Sequence, residues 1–390
     1  MTEVGEGSAP HAGDATAQRG GDGATQRAAD RAAKRARVLD VLDRFEPEGA
    51  GLDRVGGADR ADSVLLTSAA AVNWYLDGGR TGVSLAADPV VAVRVARDGD
   101  EVFVTSNETP RLVAEELPAG VTVRERAWYE PLDPQVPSGT LREEQVDAEL
   151  RAARAVLLPG ERDRFRALSA DAAEAATDVL LDAEPTWSER STAAELAARL
   201  VAVGADALVL LVSGEGRASL PHPLPTDAPL GRRAMVVVCA RRDGMIANLS
   251  RWVSFGPESE AERDAQRRIL EVEAAAFDAT RPGARLNEVL SAIGAAYGAN
   301  GFAADQWTRH HQGGAAGYNG RDPRATPATT DAVQLGQAFT WTPWVPGAQV
   351  EDTVLLGGTA ESPVIEPITV DARWPTVDVA GRASPVALIR

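Results

Sequence analysis

The order of apolar and polar residues predicts a first part of the chain that is rich in strands. After a short helical repeat in RVLDVLDRF, apolar and polar residues alternate at every second position, as in half-buried strands. The predicted elements are strands over 64–76, 90–105 and 121–129, a hairpin turn at Asp98-Gly99-Asp100, and a helix over 111–117. The pattern predicts a compact α/β domain over residues 37–145.

The second part of the chain alternates between long helices and strands. The predicted helices cover 141–156, 160–182, 192–203, 259–279 and 285–299, with Thr192 as the N-cap of the third, and the predicted strands cover 207–214 and 234–242. Strands separated by Gly and Pro follow up to the C-terminus. The PQVPSG stretch marks the approach to a boundary, so we expect a second domain over 146–390, an antiparallel sheet backed by helices.

Charge and composition exclude several classes of partner. The 390 residues include 40 basic and 57 acidic side chains, a net charge of −17 that argues against nucleic acid and anionic membranes. A small cationic or zwitterionic substrate fits this charge better. No apolar run approaches the roughly 18 residues that span a bilayer. The single Cys239 excludes a disulfide framework and agrees with a reducing cytoplasm, the location that we predict.

The first 36 residues are rich in Gly, Ala, Asp and Arg and lack the continuous apolar segment of a signal peptide. This composition predicts a disordered tail over 1–36. The tail contains Lys34, the only lysine of the chain. A Schiff-base lysine is therefore not expected in the folded part.

Three of the four histidines and one acidic pair are the candidates for chemistry, since His11 lies in the predicted tail. His222 lies in SLPHPLP between two predicted strands, and His310-His311 open the segment HHQGGAAGYNGRD. Loops of this kind can direct an imidazole into a cleft, although a structural, hydrogen-bonded role is the alternative. Glu351-Asp352 lies inside a predicted strand, where a buried carboxylate requires a partner or a substrate unless that face is solvated.

Taken in order, these segments resemble the creatinase, prolidase and aminopeptidase P superfamily, the M24 or pita-bread fold, over about residues 38–370. TSAAAVNWYLDG resembles its N-terminal signature, and PHP at His222 resembles the segment with its pocket histidine. AMVVVCARRDGMIANLSRWV, HQGG from His311 and FTWTPWVPGAQVEDTVLL resemble its three metal-ligand segments. The resemblance implies an α/β N-terminal domain, an α+β pita-bread C-terminal domain and a homodimer.

The resemblance also implies which residues stand at the metal positions. Metal-dependent members supply two aspartates, one histidine and two glutamates to two divalent cations. The matching positions here are Cys239, Asn248, His311, Thr342 and Glu351. Two adjacent divalent ions need several carboxylates to offset their mutual repulsion, and one carboxylate cannot supply this. We therefore expect no dinuclear metal centre.

Three functions remain open. The first is a metal-independent hydrolase, similar to creatinase, that cleaves a C–N bond in a small cationic, zwitterionic or dipeptide-like substrate. In this interpretation His222 is the acid and base, and His311 with Glu351 orients the substrate. The other predicted contacts to the substrate come from Asn248, His310, Tyr318 and Thr342, and from Arg321 or a partner subunit's Arg80, which would bind a carboxylate.

The other two functions differ in what replaces the two-metal centre. A mononuclear zinc site would use Cys239, His311 and Glu351 as ligands. However, Cys239 lies in the apolar strand MVVVCA, where a lone cysteine is usually a small core residue. A catalytically silent M24 relative that serves as a binding module is the third possibility. The many polar residues retained at the predicted pocket favour an enzyme.

Overall fold

The computed structural model describes residues 20–45, 61–132 and 136–390. The helices are α1 (Gly20–Arg44), α2 (Ala69–Tyr75), α3 (Thr109–Arg111), α4 (Asp147–Ala155), α5 (Pro159–Asp182), α6 (Glu189–Ala202), α7 (Glu260–Ala279) and α8 (Leu286–Ala299). A π-helical turn covers Leu112–Glu116, and 3₁₀ turns cover Glu143–Gln145, Glu215–Arg217 and Gln306–Arg309.

The strands follow the same chain order. They are β1 (Ser63–Leu66), β2 (Val91–Ala96), β3 (Gly99–Thr105), β4 (Thr122–Arg126), β5 (Thr140–Arg142), β6 (Asp206–Ser213), β7 (Arg233–Arg242), β8 (Met245–Ser254), β9 (Gly313–Ala316), β10 (Ala338–Trp341), β11 (Trp344–Val345), β12 (Ala348–Gln349), β13 (Asp352–Gly358), β14 (Pro363–Pro367), β15 (Thr376–Val379), β16 (Arg382–Pro385) and β17 (Leu388–Ile389).

The N-terminal sheet has the order β4-β3-β2-β1-β5. Strands β2 and β3 pair antiparallel with Ala96 opposite Gly99, as the predicted hairpin requires. Strand β5 pairs parallel to β1, and β4 parallel to β3, so the sheet is mixed. The buried valines of β2 and β3 pack in the same apolar core as Phe165 of α5 and Val236 of β7, which joins the N-terminal sheet to the C-terminal part.

Several predicted helix and strand boundaries are wrong, and the helix predicted over 141–156 begins only at Asp147, after β5 and a 3₁₀ turn. The segment predicted as a strand over 64–76 leaves the sheet after Leu66 and forms α2, because Ser68 accepts a hydrogen bond from the Ala71 amide at 3.1 Å and caps a run of alanines. Ser188, not Thr192, caps α6. Thr192 is buried in the first turn and donates to the Ser188 carbonyl at 3.0 Å.

The C-terminal part contains two four-stranded sheets, with the orders β17-β8-β7-β6 and β14-β13-β10-β9. Helix α5 packs against β7 and β8, while α7 and α8 pack together and share an apolar core with β10 and β13. The two sheets meet where the Ser250 amide donates to the Glu351 carbonyl at 2.9 Å. This contact brings the β7–β8 hairpin beside Thr342, which directly follows β10, and Glu351, which directly precedes β13.

The prediction of a disordered tail is wrong for residues 20–36, which form the first two thirds of α1; residues 1–19 lie outside the described residues. Alanine and arginine have high helix propensity, and α1 continues into a buried apolar stripe at Val38, Val41 and Leu42. Lys34 is 0% exposed. The division of the chain at residues 145 and 146 stays a prediction.

The ammonium group of Lys34 is the centre of a buried charge network. Its Nζ lies 2.5 Å from Asp77 Oδ1 and 2.8 Å from Glu161 Oε1. Arg164 Nη2 also contacts Asp77 Oδ1, at 2.7 Å, and the Tyr318 hydroxyl donates to Glu161 Oε1 at 2.6 Å. The network connects α1, the end of α2, α5 and the segment after β9.

Within the part of the chain that the structure describes, no helix is both long enough and apolar enough to cross a membrane.

Replacing Lys34 with methionine should lower the free energy of unfolding by about 3–5 kcal/mol, because two buried carboxylates lose their shared cation. Arg44→Ala, which removes an exposed pair with Asp40 on the same helix, is the matched control and should cost less than about 1 kcal/mol. Urea unfolding followed by circular dichroism measures both. Equal effects of the two substitutions would contradict a dependence of the fold on the buried ammonium.

Candidate functional site

A cleft of about 930 Å³ lies where the β7–β8 hairpin faces the loops around β9 and the strands β10 to β13. One wall is apolar and comes from β6 and β7. The cleft brings together most of the residues that the sequence singled out, namely His222, Cys239, Asn248, His310, His311, Arg321, Thr342 and Glu351.

Three histidines form a cluster at one side of the cleft. Nε2 of His222, in the loop between β6 and β7, lies 3.2 Å from Nε2 of His310. The rings of His310 and His311 stack with centroids 4.4 Å apart, and His222 lies 5.9 Å from His311 by the same measure. The sequence placed these histidines in two separate loops, and the fold makes them one group.

Gly313 and Gly314 allow β9, the strand that follows His310 and His311, to lie close to the neighbouring backbone. A Cβ at Gly313 would lie 2.1 Å from the Thr340 carbonyl oxygen, and one at Gly314 would lie 2.4 Å from the Pro323 oxygen. Both glycines have φ values in the positive range, which side chains rarely adopt. Strand β9 therefore lies against β10 with His311 held at the rim of the cleft.

The cluster is uncharged near neutral pH. Burial lowers the pKa of His310 to about 4 and that of His311 to about 3, and repulsion from the neighbouring imidazole and arginine adds to this. The pKa of His222, which is the exposed member, is also lowered by partial burial and by Arg324. Neutral imidazoles have free lone pairs that can accept a proton or bind a metal.

Glu351 and Arg321 form an ion pair in the cleft. Arg321 Nη2 lies 2.5 Å from Glu351 Oε1, and Glu351 is 4% exposed. Burial raises the pKa of Glu351, although the guanidinium of Arg321 opposes this shift. The next residue, Asp352, pairs with Arg251 at 2.9 Å, so both members of the predicted acidic pair have partners. The Glu351 carboxylate, which the sequence analysis predicts to orient the substrate together with His311, is therefore already engaged by Arg321.

The remaining family positions carry uncharged groups. Cys239 lies opposite Asn248 across the β7–β8 hairpin, and burial raises the pKa of its thiol to about 12. Asn248 donates from Nδ2 to the Ile246 carbonyl at 3.2 Å, while its buried Oδ1 has no partner among the described residues. The Thr342 hydroxyl accepts a hydrogen bond from Gln349 Nε2 at 3.1 Å.

These groups do not fit two divalent cations. Two such ions would require carboxylates at most of the five positions, and Glu351, the one carboxylate there, is already neutralised by Arg321. The predicted zinc set of Cys239, His311 and Glu351 meets the same obstacle, because two of its three ligands are a protonated thiol and a paired carboxylate.

Two predicted site residues lie elsewhere in this subunit. Tyr318 is buried in the Lys34 network and donates to Glu161, so it does not line the cleft. Arg80 is 73% exposed, with Nε 2.5 Å from Glu116, beside a separate cavity near α2. Its role in the cleft of a partner subunit stays a prediction.

Arg324 lines the cleft and was missed by the sequence analysis. The RDPR segment contains two arginines. Arg321 forms an ion pair with Glu351, and Asp322, which follows it, accepts two hydrogen bonds from Arg154 at 2.5 and 2.8 Å. The guanidinium of Arg324 has no hydrogen bond or ion pair to any described residue. The signal available in the sequence was a pair of arginines in a Gly- and Pro-containing loop next to the histidines.

Comparisons with known proteins show a related family and a shared fold. Residues 164–357 match a protein family that is described as "Metallopeptidase family M24". The fold is similar to prolidase from Pyrococcus horikoshii OT3, with 17% identity, a TM-score of 0.68 and coverage of 87% of this chain and 99% of that one. It is also similar to Xaa-Pro dipeptidase from Bacillus anthracis, with 15% identity, a TM-score of 0.66 and coverage of 92% and 100%.

A third structural relative has a different description. It is the N-terminal domain of FACT complex subunit SPT16 from Cicer arietinum, with 11% identity, a TM-score of 0.60 and coverage of 89% of this chain and 96% of that one. No curated protein matches the chain. The family match shows that residues 164–357 belong to the M24 superfamily, and the solved structures show that the similarity of fold extends over most of the chain.

The high pKa of Cys239 generates a prediction. At pH 8 the native thiol should react with iodoacetamide about a thousandfold more slowly than the thiol of the urea-unfolded chain, because its thiolate fraction is smaller by that factor. Mass spectrometry of the alkylated protein measures the two rates, and Cys239→Ser gives the unlabelled blank. Rapid alkylation of the folded protein would show a thiolate and would restore Cys239 as a candidate ligand.

Proposed function

We propose that this protein is a hydrolase of the M24 superfamily that cleaves a C–N bond in a small zwitterionic substrate without a metal centre. The family and the fold support hydrolysis in general. The observation that carries the specific proposal is the neutral pair His222–His310, with Nε2 atoms 3.2 Å apart, in a cleft that also contains the unpaired Arg324.

His222 is the acid and base of this proposal. It is the most exposed histidine of the cluster, so a water molecule in the cleft can reach it. The Nε2–H of His222 donates a hydrogen bond to His310 Nε2. The Nδ1 lone pair of His222 then takes a proton from water as the water oxygen bonds to the substrate carbon. The same proton then passes to the leaving nitrogen as the C–N bond breaks. A positioned acid and base of this kind contributes roughly 10²- to 10⁴-fold to the rate.

Other groups in the cleft support a zwitterionic substrate. The free guanidinium of Arg324 suits a carboxylate, which it can bind with two hydrogen bonds. Asn248 Oδ1 and Gln349 Oε1 are buried acceptors without partners among the described residues, so they suit the N–H groups of a substrate. The Glu351–Arg321 ion pair lines part of the cleft without adding net charge. His311 and Thr342 contribute further polar groups to the cleft.

We also propose the quaternary and cellular setting that the family resemblance implies. The protein acts as a homodimer in the cytoplasm, and Arg80 of one subunit supplies a second cation to the substrate of the other. Its exposure of 73% leaves the guanidinium accessible to a partner, although Glu115 and Glu116 compete for it.

A binding module is the second candidate function. The observation in its favour is that the family's ligand positions hold Cys239, Asn248 and Thr342, while the fold is kept and is also similar to the N-terminal domain of FACT complex subunit SPT16. The two functions differ in one measurable property, which is turnover.

The test uses metal-stripped protein and a panel of guanidino acids, N-carbamoyl amino acids and Xaa-Pro dipeptides. His222→Ala should lower kcat/KM by roughly 10²- to 10⁴-fold, because the proton acceptor is lost. His11→Ala, which removes a histidine far along the chain, is the control and should keep full turnover. Two stoichiometric metal ions per chain would overturn the proposal, and an inactive panel would favour the binding module.

Arg324→Leu tests the substrate's charge separately. It should raise KM for substrates with a free carboxylate by roughly tenfold or more, corresponding to a lost charged hydrogen bond, and should leave KM for the matching amides unchanged. Steady-state kinetics on both series measure the difference. An equal change in both series would mean that Arg324 does not bind the carboxylate.

A further inference from the structure

The histidine cluster has the geometry of a metal site that differs from the family's. We propose that His222, His310 and His311 together bind one divalent transition-metal ion of the zinc class. One ring nitrogen from each histidine lies within 4.8 Å of the other two. The inference goes beyond the proposed function, because it concerns a metal ion that binds in the same cleft and that the proposed hydrolysis does not require.

Two of the three ligands already have the required spacing. Zn–N bonds of 2.0–2.1 Å in a tetrahedron separate two ligand nitrogens by about 3.3–3.4 Å. The Nε2 atoms of His222 and His310 are 3.2 Å apart. A ring nitrogen of His311 lies within 4.8 Å of a ring nitrogen of each of these two histidines, so His311 is the ligand that must approach further when an ion binds.

A second observation is independent of this spacing. The Nδ1 of His311 is buried and has no hydrogen-bond partner among the described residues. A buried polar atom that loses water without gaining a partner costs free energy, and a metal ion would satisfy it. The exposed side of His222 faces the cleft, so a fourth coordination position would be open to water or ligand.

The ligand set selects the class of ion. Imidazole nitrogen suits zinc, copper and nickel, whereas calcium and magnesium require oxygen ligands, which the cluster does not supply. The two arginines nearby do not exclude an ion. Arg321 is neutralised by Glu351, and Arg324 is exposed, so solvent screens its charge.

Metal binding and the proposed proton transfer exclude each other in one molecule. The ion would take the Nε2 lone pairs of His222 and His310, and with them the hydrogen bond that orients His222 as a base. The metal-stripped and metal-loaded proteins are therefore chemically distinct states of the same cleft.

The experiment uses the full chain without a histidine tag, stripped of metal. Titration with Co²⁺ should give tetrahedral d–d absorption bands that saturate at one ion per chain, and calorimetry with Zn²⁺ should give the same stoichiometry. His222→Ala should weaken binding at least about tenfold, as loss of a direct ligand exceeds the effect of losing an outer partner. His310→Gln, of similar size and polarity, is the second variant, and circular dichroism verifies the folding of both.

Two control variants separate this site from the others. His11→Ala removes the one histidine outside the cluster, and Cys239→Ser removes the thiol of the zinc set that the sequence suggested. Both should bind Co²⁺ as the unmodified chain does. The absence of a saturable site, or a site lost in Cys239→Ser but kept in His222→Ala, would overturn the inference.

The readouts distinguish this inference from the proposed function. Turnover of the metal-stripped protein, combined with the absence of a saturable Co²⁺ site, would leave the hydrolase proposal intact and refute only the metal site. One bound ion with an inactive panel would support the metal site and count against hydrolysis. Turnover only in the loaded protein would support the site and refute the metal-independent mechanism.

Discussion

One buried ammonium group determines how the parts of this protein meet. Lys34 is fully enclosed between Asp77 and Glu161, which are themselves buried. Two carboxylates in such surroundings are tolerated only when a cation and hydrogen-bond donors satisfy them. Helix α1, the end of α2 and the start of α5 must therefore converge on this point. Because Glu161 also accepts a hydrogen bond from the Tyr318 hydroxyl, the same network fixes the chain immediately after β9.

This anchoring has consequences for the chemistry of the cleft. The segment after Tyr318 is held again at Asp322, which binds Arg154 of α4, and between and beyond these anchors it presents Arg321 and Arg324. Arg321 lies beside Glu351 and pairs its guanidinium with that carboxylate. Glu351 therefore adds no net negative charge to the cleft.

Local signals in the sequence explain which elements were predicted correctly. The β2–β3 hairpin follows from regular alternation and from Asp98-Gly99, both of which act within a few residues. The segment 64–76 was predicted wrongly, because a continuous apolar run is compatible with either a strand or a helix and Ser68 decides between them. The helical structure of residues 20–36 was missed for another reason. Lys34 of this helix is buried in a hydrogen-bonded ion pair with Asp77, which lies 43 positions away in the sequence.

The sequence by itself determined which residue types stand at the five positions that the resemblance matches to metal ligands, and from these types we predict that two divalent ions are not held there. Only the tertiary structure decided which polar groups are free. It paired Glu351 with Arg321, directed Tyr318 away from the cleft, gave Arg324 no partner among the described residues, and joined His222 to His310 across 88 residues of chain. Residue identity sets what a side chain can bind. The packing of loops that are distant in sequence sets what each side chain actually meets, and no local pattern encodes that distance.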